Sequence, residues 1–150
     1  MNDIYIHYGS TKFDKNRFKS VKNISHFSKP SGGLWASDIN AKFGWKGGNE
    51  YEHFMECEEF NSFKFKLSDS AKVLLILNVD SVKLLPQQED SRSIFYGTRE
   101  YHPDWEKIAE QGYDAVEFIL SNDGRLYWSL YGWDCDSLLV LNPDIIIPVE

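Results

Sequence analysis

Gly112-Tyr113-Asp114-Ala115-Val116-Glu117-Phe118-Ile119-Leu120 is the stretch on which the fold turns. Pro103 can open a helix over residues 104–111, and Gly112 then ends it, since glycine takes the left-handed cap conformation at little cost. The apolar residues that follow predict a strand from Tyr113 to Leu120. Alternation puts Tyr113, Ala115 and Glu117 on one face and Asp114, Val116 and Phe118 on the other. A carboxylate inside an apolar strand is costly unless it is paired or opens on a cleft. Glu117 therefore reads either as an exposed edge residue or as part of a pocket wall.

Working outward, Ser121-Asn122-Asp123-Gly124 reads as a hairpin turn that returns the chain antiparallel over Arg125 to Tyr131. Leu138–Leu141 and Ile145–Val149 make two further strands, separated by Asn142-Pro143. Upstream, the apolar run Val73 to Val79 suits a central strand buried on both faces. Phe63, Phe65 and Leu67 alternate with Lys64 and Lys66, a half-buried strand. Asn49 can cap a helix over Glu50–Phe60, and Asp3–Tyr8 forms a short strand stopped by Gly9. Residues 11–29 and 87–99 read as loops, the first with one helical turn. The expected class is α+β: a small, mainly antiparallel split β-sandwich, two small sheets face to face, with two helices in a single domain over 1–150.

With 150 residues and 42% hydrophobic composition, the chain can bury one sizeable core. A net charge of -7 argues against non-specific nucleic-acid binding, which depends on phosphate neutralisation. The charge is uneven: Lys12, Lys15, Arg17, Lys19, Lys22 and Lys29 stand against Asp14 alone in residues 11–30. That run is either a solvated face or a positive field beside a pocket for an anionic dinucleotide or an acidic partner. Cys57 and Cys135 are far apart and lack metal-ligand spacing, so neither zinc nor a disulfide framework is expected. No apolar run approaches membrane-spanning length and the N-terminus lacks a signal-peptide pattern, so the expectation is a cytoplasmic protein with reduced thiols.

Two more segments place polar groups beside glycines, where backbone can approach a ligand closely. Ile6-His7-Tyr8-Gly9-Ser10 ends the first strand, and alternation lets only one of His7 and Tyr8 face a pocket. Gly32-Gly33-Leu34-Trp35-Ala36-Ser37 offers backbone amides, a ring able to stack on a planar base, and a hydroxyl. Each segment also has a plain structural reading, as a strand end and as a glycine turn with a core Trp. His26, His53 and His102 are scattered, the acids of residues 50–59 suit a solvated helix face, and no Walker or dinucleotide glycine fingerprint is present.

The order of these segments resembles the three-part signature of the ADP-ribosyltransferases related to diphtheria toxin and the poly-ADP-ribose polymerases. There a first strand ends in His-Gly-Ser, an aromatic-x-Ser unit follows, and a later strand carries a glutamate. Here Tyr8, not His7, stands immediately before Gly9-Ser10, and Tyr8 is marginally favoured as the ring-side contact. The resemblance implies NAD as substrate, held by His7, Tyr8, Gly9, Ser10, Gly33, Leu34, Trp35 and Ser37. It implies Glu117 as the catalytic carboxylate, hydrogen-bonded by Ser37 and set against the oxocarbenium-like ribose, with no metal. Arginine-modifying members carry Glu or Gln two residues before that glutamate, where this chain has Ala115. The expected function is transfer of ADP-ribose to an intracellular protein, of the kind used in bacterial or phage conflict. The alternatives are a non-catalytic protein-binding module on the same fold and an enzyme that cleaves NAD or transfers ADP-ribose to nucleic acid, the last disfavoured by the acidic charge balance.

Overall fold

The computed structural model describes residues 3–24, 27–40, 61–88, 93–95, 98–120, 123–130, 133 and 136–149. The helix expected over Glu50–Phe60, His26, His53 and both cysteines lie outside them. Seven strands form one open, mostly antiparallel sheet. They are β1 (Tyr5–Tyr8), β2 (Leu34–Asp38), β3 (Ser62–Leu67), β4 (Val73–Ile76), β7 (Ala115–Phe118), β8 (Ser137–Val140) and β9 (Ile146–Val149). Their order is β4-β7-β8-β2-β1-β3-β9, and β5 (Ser93–Phe95) pairs separately with β6 (Thr98–Glu100). Among the described residues the α-helices are α1 (Val79–Lys83), α2 (Trp105–Glu110) and α3 (Leu126–Ser129). The mixed α+β class agrees with the sequence reading.

The two expected sheets are one hydrogen-bonded sheet with a narrow joint. β1 and β2 pair only at Tyr5↔Asp38 and Ile6↔Ser37, while Leu34, Trp35 and Ala36 pair with β8 on the other side. Beyond that joint, His7 and Tyr8 diverge from β2. The sheet also bends. In a flat sheet β1 and β7, three strands apart, would be separated by about 14 Å, yet the Tyr5 hydroxyl reaches the Glu117 carboxylate at 2.9 Å. One core cluster accordingly draws on both halves: Tyr5, Phe63 and Phe65 from one, Ala36, Ala115, Leu138 and Val140 from the other.

Four local expectations change, the first at residues 87–99, read as loop, where β5 pairs antiparallel with β6. Val73–Val79 is not a central strand: Asn78 accepts from the Ser81 N–H at 2.9 Å and caps α1, so β4 stops at Ile76. β4 is an edge, parallel to β7, and Leu75 is 46% exposed. Its apolar run reflects two lined faces, since Leu74 and Ile76 join one cluster and Val73 the other. Nor does the strand expected over Arg125 to Tyr131 return along β7: Leu126–Ser129 is α3, and Ser121, Asn122 and Tyr131 lie outside the described residues. Asp123 accepts from the Val79 and Arg125 N–H groups and pairs with Arg125, and Leu126 and Leu130 are buried at helical spacing in and after α3. The antiparallel neighbour of β7 is β8, from Ala115↔Val140 to Phe118↔Ser137. Finally, α2 begins at Trp105 with Asp104 rather than Pro103 at its start: Asp104 accepts from Lys107 N–H at 3.1 Å and Asn23 accepts from Trp105 N–H at 2.8 Å. Gly112 follows it at φ 95°, the left-handed position expected there.

The larger core lies on the face carrying Val116 and Phe118, where all three helices contribute. Trp105 and Trp133 meet there at 5.0 Å between ring centroids, and both donate their indole N–H to the Ser28 carbonyl. Those two bonds, the Lys22↔Ser31 bridge and the Asn23–Asp104 contact fasten the second half of the basic segment to the rest of the fold.

Candidate functional site

β1 positions the site. Alternation puts Tyr5 and His7 on one face of it, beside their cross-strand partners Phe65 and Phe63 on β3. His7 is half-buried, and its Nδ1 lies 2.6 Å from the Trp35 carbonyl, just where the β1–β2 backbone ladder has ended. A carbonyl only accepts, so Nδ1 carries the proton. Burial pushes the imidazole pKa down, against the opposing pull of the Trp35 carbonyl. The neutral ring therefore offers Nε2 as an acceptor, 3.7 Å from where a Cβ on Gly9 would stand.

That side of β1 borders a cavity of about 410 Å³ lined by His7, Ser10, Lys12, Arg17, Gly33 and Leu34, among others. Gly33 has φ 69°, and a Cβ there would lie 2.5 Å from Leu139 Cδ1 and 3.0 Å from the Val140 carbonyl. Its N–H bonds the Lys19 carbonyl at 2.8 Å. The paired glycines are thus required by the approach of β2 to β8 and to the basic segment. Of that segment, Lys12 and Arg17 line the cavity, Lys15 pairs with Asp144, and Lys29 stands over the Trp35 ring.

Glu117 stands on the same face as Tyr5 and His7, in register with Leu138 on β8 and Leu75 on β4. It lines a second cavity of about 510 Å³ with Asp3, Tyr5, Asp69, Val73 and Leu75. Burial raises its pKa above the usual carboxylate range; the Tyr5 hydrogen bond opposes this, and Asp38, Asp3 and Asp136 add to the rise. Tyr5 is itself pushed well above the ordinary phenol range, first by burial and then by the Glu117 charge, so it donates the bond.

The structure therefore groups His7, Ser10, Gly33 and Leu34 in one cavity and puts Glu117 in the other. Tyr8 falls on the opposite face of β1, so His7, rather than the marginally favoured Tyr8, faces the cavity. Trp35 is not an open stacking platform: it packs edge-on to Trp133 at 4.7 Å in the apolar core. Ser37 shares that opposite face of β2, so the partner of Glu117 is Tyr5 rather than Ser37. Tyr113, which precedes β7, packs on the larger core and takes Lys72 over its ring, so it is not beside Glu117. Asp114 accepts from Lys72 N–H and Asn142, and Asp123 is held by Arg125; both are structural carboxylates.

Tyr5 is the residue that sequence reasoning missed. The signal was present: it stands two residues before His7, so any face that presents His7 presents Tyr5. Among the described residues no group of three or more His, Cys, Asp or Glu side chains is arranged to hold a metal ion. No helix among them is long and apolar enough to cross a membrane. Comparisons with protein-family models, curated proteins and solved structures find no match for this chain.

Proposed function

We propose that this chain has the ADP-ribosyltransferase fold, binds NAD along the concave face of β1, and transfers ADP-ribose to an intracellular protein, as such enzymes do in bacterial or phage conflict. The reading is carried by one observation: a neutral His7 with a free acceptor nitrogen and a held Glu117 carboxylate share the face of one bent sheet. Along β1 they are linked through Tyr5, two residues or about 7 Å from His7. In this reading Nε2 of His7 accepts a ribose hydroxyl, and Lys12 and Arg17 neutralise the pyrophosphate. The acidic rim of Asp3 and Asp69 suits the cationic nicotinamide end. As the bond from the ribose anomeric carbon to nicotinamide breaks, its electron pair leaves with neutral nicotinamide. Positive charge grows on the sugar beside Glu117, and a nucleophile of the acceptor then bonds to that carbon and releases its proton.

The second reading is a non-catalytic binding module, favoured by the fact that the two cavities share no lining residue. Labelled NAD incubated with the protein and a whole-cell lysate separates them. Transferase action labels a protein band, and NAD at 100 times its Kd stabilises the fold by about 2.7 kcal/mol. A binding module leaves the lysate unlabelled and gives no thermal shift with NAD or ADP-ribose.

A further inference from the structure

We propose that Tyr5 is the positioning residue of Glu117, fixing its carboxylate through the phenol hydroxyl while leaving its charge intact. The consequence for rate rests on the transferase reading above; the Tyr5–Glu117 link is a property of the fold. Tyr5 is 4% exposed, and its ring stacks on Phe65 at 5.9 Å with 29° between planes. That packing leaves the hydroxyl little freedom, and it lies 2.9 Å from Glu117 Oε2. In the sheet, the flanking partners of Glu117 are Leu75 and Leu138, which cannot donate. The titratable groups around it are acids: Asp3, Asp38 and Asp136 act on it electrostatically, and Asp69 lines the same cavity. Among the described residues Tyr5 is therefore the donor that holds this carboxylate. Its chemistry matters. Lysine or arginine there would hold Glu117 equally well but cancel the negative charge that a developing sugar cation needs. A buried phenol that stays protonated orients the carboxylate without neutralising it.

Two readouts test this with the full chain. In the first, transfer is measured for the parent, Tyr5→Phe, Glu117→Gln and the double variant. Tyr5→Phe should slow transfer about tenfold or more, the scale of one hydrogen bond to a charged group, with NAD Kd within about twofold. Added to Glu117→Gln it should cost nothing further, because Tyr5 acts through that carboxylate. Rate losses that multiply would overturn the proposal. The second readout is the Glu117 carboxyl titration by carbon-13 NMR, which needs no activity. Tyr5→Phe should move it upward, and single-site replacement of Tyr5 by 3-fluorotyrosine, a stronger donor of nearly the same shape, should move it downward. The fluorinated protein keeps the test open if Tyr5→Phe folds poorly. A titration unmoved by either replacement overturns the assignment. A parent that transfers nothing while the titration shifts as expected sinks the transferase reading and leaves the Tyr5 link standing.

Discussion

On the face of the sheet carrying Val116 and Phe118, three helices close over the strands, and Trp105 and Trp133 are 0% and 1% exposed. On the face carrying Ala115 and Glu117, the sheet instead curls toward itself and borders two cavities, one lined by His7 and the other by Tyr5. The two faces belong to the same strands and differ by one residue of register. On the first, large side chains fill the space and every indole N–H named finds the Ser28 carbonyl. On the second, small residues (Ala36 and Ala115) sit under the fold of the sheet, and Glu117 and His7 are each held by a hydrogen bond across the sheet. The difference teaches that strand alternation divides the polar burden of the sheet: one face is packed with apolar side chains, while the other buries a carboxylate and an imidazole at a desolvation cost.

That division is broken most severely at Trp133. The ring touches Trp35, Phe118 and Trp105 at 4.7, 5.2 and 5.0 Å between centroids. Trp133→Ala should cost about 3–5 kcal/mol, the range for deleting a large buried ring, read as a lower denaturation midpoint. A loss under about 1 kcal/mol would mean that the apolar face is not where the fold is held.

Glu117→Gln should do the opposite on a smaller scale. The folded-state pKa of Glu117 is raised, so its stabilising contribution is complete below the ordinary carboxylate pKa and is lost as pH rises through the folded value. At neutral pH the parent carries the cost of a buried charge that the Gln variant lacks. The variant should therefore melt higher than the parent at pH 7, with the gap closing toward pH 4, as read from paired thermal melts. A lower melting temperature at pH 7 would mean that the ionised carboxylate stabilises this face. His7 has the contrary sign: its pKa is lowered, so its contribution is present above the ordinary histidine value and is lost as pH falls through the folded one.

Period and punctuation made much of this legible. Alternation in Phe63-Lys64-Phe65-Lys66-Leu67 gave β3, and Gly112 gave the end of α2. What failed has a common cause: the linear pattern reports faces, not neighbours. Val73–Ile76 is apolar on both sides yet has a strand on one side alone, and Asp123-Gly124 resembles a hairpin turn until the Asp123 carboxylate is found at the N–H of Val79 on α1. The site was legible by residue but not by grouping. His7, Gly33 and Glu117 could be named from glycines and an interrupted strand. That Glu117 is met by Tyr5 depends on the bend of the sheet, a contact between residues 112 positions apart.

The claim that the open face is a catalytic one is tested most directly by measuring transfer rate and NAD affinity together for Glu117→Gln. A carboxylate that acts on the oxocarbenium-like transition state contributes little to ground-state binding. The account predicts a rate at least ~10²-fold below the parent, with NAD Kd unchanged within about twofold. Transfer by Glu117→Gln at the parental rate would contradict it, as would a loss of NAD binding that accounts for the whole loss of rate.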